Sequence, residues 1–293
     1  MAPLSAWLAA VRPTTLGLSI SPVLAGTALA VGDTGRFHLP VFGAALAAAL
    51  LIQIGTNLHN DVADHRRGTD RPGRAGPPRA VAEGWLSAAA VERGAWAAFF
   101  AAFLIGVYLA WVGGWPIVAL GLASLAAGAA YSGGPRPLSS LPVGELFVLL
   151  FFGLAAVAGS YYLQTGAVTP RALLAGAALG SPAAAVLVVN NLRDREEDAR
   201  SGRATLAVLL PVWGSRLEYT LLTLVPFLLL VPLLPFPWLG LPLAALPVAL
   251  ALVRALWRLP PGRAFNGLLA RTARLDLLLG LLFSSAAVAP RML

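Results

Sequence analysis

The sequence contains no cysteine and no lysine, and only 12% of its 293 residues are charged. Without cysteine there is no disulfide and no thiolate-held metal centre. So little charge excludes an ordinary soluble domain, which carries roughly twice that share. A cleavable signal peptide is also missing as a pattern: Arg12 lies in the approach to the first apolar segment, and no small-residue cleavage site follows a short core.

What is present is apolar. Hydrophobic residues make up 58% of the chain and the mean hydropathy is +0.77. Apolar runs of bilayer-crossing length, about 17–25 residues, recur from end to end. The expected fold class is therefore all-α: a polytopic membrane protein, because helices are the only open-chain way to satisfy backbone groups in hydrocarbon. Nine spans are expected, near 14–31, 39–58, 92–112, 115–131, 143–163, 171–191, 217–235, 236–257 and 268–289. Prolines crowd the seventh and eighth and mark kinks or a tight reversal there.

All 21 basic residues are arginine, which with abundant Ala, Leu, Gly and Pro reads as GC-rich codon usage. The sequence pI of 11.1 does not call for a nucleic-acid partner, because arginine excess in a membrane chain follows topology. With a cytoplasmic N-terminus, only Arg36, Arg171 and Arg291 of the 21 fall outside, so 18 face the cytoplasm. That asymmetry obeys the positive-inside rule.

Two polar stretches interrupt the apolar pattern. NLHNDVAD (57–64) and NNLRDREED (190–198) each close a span, on the same cytoplasmic side. Asp61 and Asp194 are 133 residues apart. The chain thus reads as one domain over 1–293, with two four-helix halves near 14–131 and 143–257 and a ninth helix near 268–289. Membrane repeats of this kind place shared sites at their interface. On a helix, Asn57, Asp61 and Asp64 share a face, as do Asn190, Asp194 and Asp198. Neither cluster has a thiol or paired histidines. Such oxygen ligands suit Mg²⁺, which binds through one or two carboxylates plus substrate phosphates. The arginines that follow, Arg71 and Arg74 after the first cluster and Arg203 after the second, suit an anionic head group. A diphosphate on a long apolar chain fits all three features. The plainer alternative is a pair of solvated polar helix ends, and two matching clusters on one side argue against it. His59 alone carries no metal assignment.

These residues resemble the two aspartate-rich motifs of the intramembrane aromatic prenyltransferases, the UbiA superfamily. Within it, the resemblance is strongest to the naphthoate-prenylating branch of menaquinone synthesis. It is carried by NLHNDVADHRRGTDRPGR, YSGGPRPLSSLPVGELFVLLFFG, GSYYLQTG and NNLRDREEDARSGRATLAV, in order over roughly residues 10 to 215. The resemblance implies nine helices around a cavity, in a bacterial plasma membrane, with two Mg²⁺ ions binding the diphosphate of a polyprenyl donor. Asn57, Asp61 and Asp64 take the first-motif role, with Asn60 and Asp70 near it. Asp194 and Asp198 take the second, supported by Asn190 and Glu197. The spacing departs from some relatives, which carry an aspartate where Gly68 stands here. The implied reaction transfers the polyprenyl group to 1,4-dihydroxy-2-naphthoate with loss of diphosphate and CO₂. Tyr131, Tyr161 and Tyr162 are candidates to face an allylic cation through their rings, although packing or an interfacial belt accounts for each as well.

Two other readings stay open on sequence. A prenyltransferase of this type could use another aromatic acceptor. An ion-coupled transporter also uses intramembrane carboxylates, but nearer the bilayer midplane than these. A phosphatidyltransferase of the CDP-alcohol type is excluded, because its motif begins with Asp-Gly and the chain has no such dipeptide.

Overall fold

The computed structural model describes residues 4–70 and 74–291. Among these there is no strand, and nine helices are long and apolar enough to cross a membrane. In chain order, spans one to nine are Pro13–Thr34, Leu39–Arg66, Ala88–Gly113, Trp115–Ser132, Gly144–Thr165, Pro170–Arg200, Val212–Leu233, Gly240–Arg258 and Phe265–Arg291. A short helix, Leu4–Val11, precedes the first. The protein is a multi-pass membrane protein.

Spans two and six run well past their expected ends at 58 and 191, to Arg66 and Arg200. Both polar motifs therefore ride on continuous helix. Hydropathy falls there, but the side chains do not reach solvent: Asn57, Asn60, Asp61, Asp64, Asp194 and Asp198 are all buried. Each helix stops shortly before a glycine with positive φ, Gly68 at 68° and Gly202 at 76°, a backbone that β-carbon-bearing residues rarely adopt. Span eight starts later than expected, at Gly240, because a 3₁₀ turn (Val231–Leu233) and prolines occupy the reversal.

Span six is the axis of the bundle, more enclosed than any other, and packs on spans one, five, seven and nine. Its contact with span five is backbone on backbone. A β-carbon on Gly180 would lie 2.4 Å from the Cα of Gly153, and one on Gly176 would lie 2.9 Å from the Cα of Leu154. Small residues four apart allow this approach between membrane helices. Opposite them span five widens into a π-helix over Leu149–Ala155. The wider turn lets Phe147, Phe151 and Phe152 all face one central cavity. Irregular turns of this kind recur at functional sites.

The end opposite the motifs is latched. Tyr161 Oη donates to Asp33 Oδ2 at 2.9 Å, Arg171 pairs with Asp33, and Arg291 Nη2 donates to the Asp33 carbonyl at 2.9 Å. Tyr162 Oη donates to the Gly113 carbonyl at 3.0 Å. The expectation that Tyr161 and Tyr162 could face a reacting cation is corrected here. Both phenols close helix ends remote from the motifs, and neither residue lines the cavity.

Candidate active site

Extending the two motif helices brings their polar faces to one place. Asn57, Asn60 and Asp64 of span two and Asn190, Asp194 and Asp198 of span six line the same cavity, of about 610 Å³. Tyr131 at the end of span four joins them, with Arg12, Arg74, Arg79 and Arg203. Below this polar mouth the wall is apolar, formed by residues such as Ile52, Phe103, Val107, Leu125, Phe147 and Phe152.

Arginines knit the two motifs together. Arg203, after span six, donates to Asp64 of span two and lies 3.4 Å from Asp198 Oδ1. Arg74, after span two, places Nη2 3.0 Å from Asp194 Oδ2 of span six and Nε 3.2 Å from Asp70 Oδ1. Arg79 lies 3.1 Å from the other Asp70 oxygen. Each loop thus reaches across to an aspartate of the other motif helix. Within span six, Arg193 grips both oxygens of Asp194, with Nε 2.7 Å from Oδ1, and also donates to Asn190 Oδ1 at 2.9 Å. Burial pulls Arg203 down, but Asp64 and Asp198 outweigh it, so its pKa rises. The Asp70 pKa rises as well, but there burial wins, lifting it to about 6 although Arg74 pulls it down.

Asp61 stands apart. It is fully buried and is not among the residues lining the cavity. Neither of its oxygens has a hydrogen bond of normal geometry, although the Arg12 charge and the Ala80 and Val81 amides act on it. Asp70, Asp194, Glu197 and Asp198 also border a second gap of about 10 Å³ beside Arg74 and Arg203. His59 packs its ring 5.9 Å from that of Trp96. Arg71 lies outside the described residues.

Several wall residues have no counterpart in the motif reading. Arg12 counts in sequence as a topology charge, yet it lines the cavity and donates to Asn60 Oδ1 at 2.8 Å. Its place before Pro13, at a helix start, is the signal that could have found it. Glu145, buried at the start of span five, does not itself line the cavity but accepts from Nδ2 of Asn191, which does, at 2.7 Å. Only its occurrence as an acid in an apolar segment marks it beforehand. The phenylalanines of span five are invisible to pattern, since a π-turn changes which residues share a face.

In chemical terms, the polar mouth presents oxygen donors and guanidinium forks from both halves, and the apolar chamber accepts a hydrocarbon tail. A model of the UbiA prenyltransferase family matches residues 19–264 of this chain. The 1,4-dihydroxy-2-naphthoate octaprenyltransferase of Escherichia coli (strain K12) is 34% identical over 296 residues, covering 95% of this chain and 93% of that protein. The protein of the same name from Mycobacterium tuberculosis is 37% identical over 254 residues, 85% of each. Among solved structures, a UbiA homolog from Archaeoglobus fulgidus bound to DMAPP and Mg²⁺ superposes with a TM-score of 0.67 at 14% identity. It covers 97% of this chain and 99% of that one.

Proposed function

This chain belongs to the UbiA prenyltransferase family, and we propose that it transfers a polyprenyl group from polyprenyl diphosphate to 1,4-dihydroxy-2-naphthoate. Diphosphate and CO₂ leave, and demethylmenaquinol, the hydroquinone, forms. The observation that carries this reading is the convergence of both aspartate motifs and their crossed arginines at the mouth of one otherwise apolar cavity. Relatives that align with most of the chain are named for that reaction.

The donor set fits Mg²⁺. Asp64, Asp194 and Asp198 line the mouth and offer oxygen only. Asp64, Asp194 and Asp198 would hold the metal, with Asn57 and Asn190 beside them; Asp61, expected from its motif to join them, does not line this cavity. When bound, Mg²⁺ supplies charge that stabilises the departing diphosphate. Arg74 and Arg203 add forked donors to the same oxygens as negative charge builds there, which is where catalysis gains from binding. The apolar wall keeps water from the allylic cation. Tyr131 presents a ring face to that cation at the junction of mouth and chamber. The naphthol ring then attacks through carbon.

The arginine distribution supports a cytoplasmic N-terminus and a mouth on the cytoplasmic side. The matching motif ends of spans two and six support two four-helix halves followed by a ninth helix. The test is direct. Purified protein, labelled 1,4-dihydroxy-2-naphthoate, Mg²⁺ and a set of prenyl diphosphates should yield a prenylated naphthohydroquinone, identified by mass as such or as the quinone it gives on oxidation in air. Prenylation of a hydroxybenzoate in place of the naphthoate refutes the acceptor, and no prenyl product at all refutes the reaction.

A further inference from the structure

Among the described residues four arginines line the main cavity, and their partners divide them into two kinds. Arg74, Arg79 and Arg203 each contact carboxylates. Among the described residues, Arg12 has no carboxylate oxygen within the 4.0 Å of an ion pair. Its side-chain hydrogen bond goes to a neutral acceptor, Asn60 Oδ1, at 2.8 Å. Asn60 is itself fixed, donating to Ser132 Oγ at 2.7 Å.

The turn that carries Arg12 is held as deliberately as its side chain. Arg12 has φ 58° and ψ 68°, and among the described residues it is the one non-glycine with positive φ. A β-carbon disfavours that region, so tertiary contacts must maintain it. They do: Asn57 Nδ2 donates to the Val11 carbonyl at 2.8 Å, and Thr15 Oγ1 donates to the Arg12 carbonyl at 3.0 Å. Two asparagines of the first motif therefore fix the backbone and the guanidinium of one arginine. Strain of this kind is kept where it serves a site. Burial lowers the Arg12 pKa although Asp61, Asp70 and Asp64 act against it, and an anion at the fork would offset that cost.

We propose that Arg12 anchors the acceptor by its ring carboxylate. The proposal rests on the reading of the chain as a naphthoate prenyltransferase. That reaction brings two anions into one cavity. The diphosphate is matched by Arg74 and Arg203, whose forks already reach both aspartate motifs. The aryl carboxylate is the second anion, and a planar fork without a carboxylate partner is its complement. Tyr131, next in the chain to Ser132, lines the same cavity. A phosphate oxygen shares the carboxylate's chemistry, and the test separates the two.

The Arg12→Gln protein is to be measured in lipid nanodiscs for equilibrium binding of 1,4-dihydroxy-2-naphthoate and for initial rates against each substrate. Losing a charged, two-pronged contact should raise Kd and KM for the naphthoate by about tenfold or more. KM for the prenyl diphosphate should stay the same, and so should binding of 1,4-dihydroxynaphthalene, the same ring without its carboxylate. Arg12→Lys keeps the charge and loses the fork, so it should show the same pattern with a smaller rise. It carries the test if the glutamine variant does not fold. Equal loss for both ring compounds would make Arg12 a support of cavity shape and overturn the anchor. A rise confined to the diphosphate would assign the fork to phosphate and overturn it too. Wild-type protein that binds no naphthoate overturns both this proposal and the reading beneath it. Wild-type binding with an unaltered Arg12→Gln overturns the anchor alone.

Discussion

Arg203 is the most informative single residue to perturb, because it joins the two motifs. Its Nη2 donates to Asp64 and its Nη1 stands 3.4 Å from Asp198, with only 16% of the side chain exposed. At an effective dielectric near 20, a contact of this length has a gross attraction of about 4–5 kcal/mol. Desolvation cancels most of that in the resting protein, so the resting bridge stabilises the fold little. The consequence for turnover is larger. Arg203→Lys leaves one ammonium where a fork served two anions, and losing one charge-assisted hydrogen bond to the diphosphate costs about 1.5–3 kcal/mol. That predicts a fall in kcat/KM of about 10- to 150-fold, measured with saturating naphthoate and varied prenyl diphosphate. Arg254→Lys, on span eight and outside the cavity, serves as control and should be silent. If the two lysine variants match, Arg203 is a topology charge and the diphosphate clamp lies elsewhere.

The other predictions concern the carboxylates. Asp64→Ala, Asp194→Ala and Asp198→Ala should each lower prenyl transfer by at least about 10²-fold while the protein still inserts; near-normal product from Asp64→Ala together with Asp194→Ala rejects the metal assignment. Activity should vanish in EDTA and return with Mg²⁺ or Mn²⁺, as oxygen-only ligands require; full turnover after thorough chelation points away from diphosphate ionisation. Asp70 has its pKa raised from 3.8 to about 6, so its ionised form is the costly one in the folded protein. Between those pH values the folded chain keeps a proton that the unfolded chain releases, and stability from this group falls as pH rises, by up to about 3 kcal/mol. Asp70→Asn should therefore gain in melting temperature over the parent across that window, and a difference that does not vary with pH refutes the argument.

Sequence and structure agree where hydrophobic length decides and part where tertiary burial does. All nine spans are legible, because a bilayer-length apolar run has one solution. The ends of spans two and six are not, because hydropathy cannot tell a polar residue in water from Asp64 buried against Arg203. The helical spacing that aligns Asn57 with Asp64 and Asn190 with Asp198 is local and could be read directly. Arg12 could not be assigned in that way: its left-handed backbone and its contacts to Asn57 and Asn60 span more than forty residues of sequence. Tyr161 and Tyr162 fail for a positional reason. They sit near the far end of span five, and their hydroxyls satisfy Asp33 and the Gly113 carbonyl there.

The crossed arginines also bear on how the site gains from its substrate. Arg74 follows the first motif but holds Asp194 of the second, and Arg203 follows the second but holds Asp64 of the first. Neither motif helix completes the mouth alone, which gives a physical reason for two motifs. On the proposed function, a diphosphate arriving there would meet forks that are already ordered and desolvated, so little side-chain entropy would remain to be lost on binding. It must also compete with Asp64, Asp194 and Asp198 for the same donors. Exchange of partners rather than creation of new ones keeps resting binding moderate. Contacts that strengthen as charge grows on the departing oxygens then act mainly in the transition state, where they raise the rate.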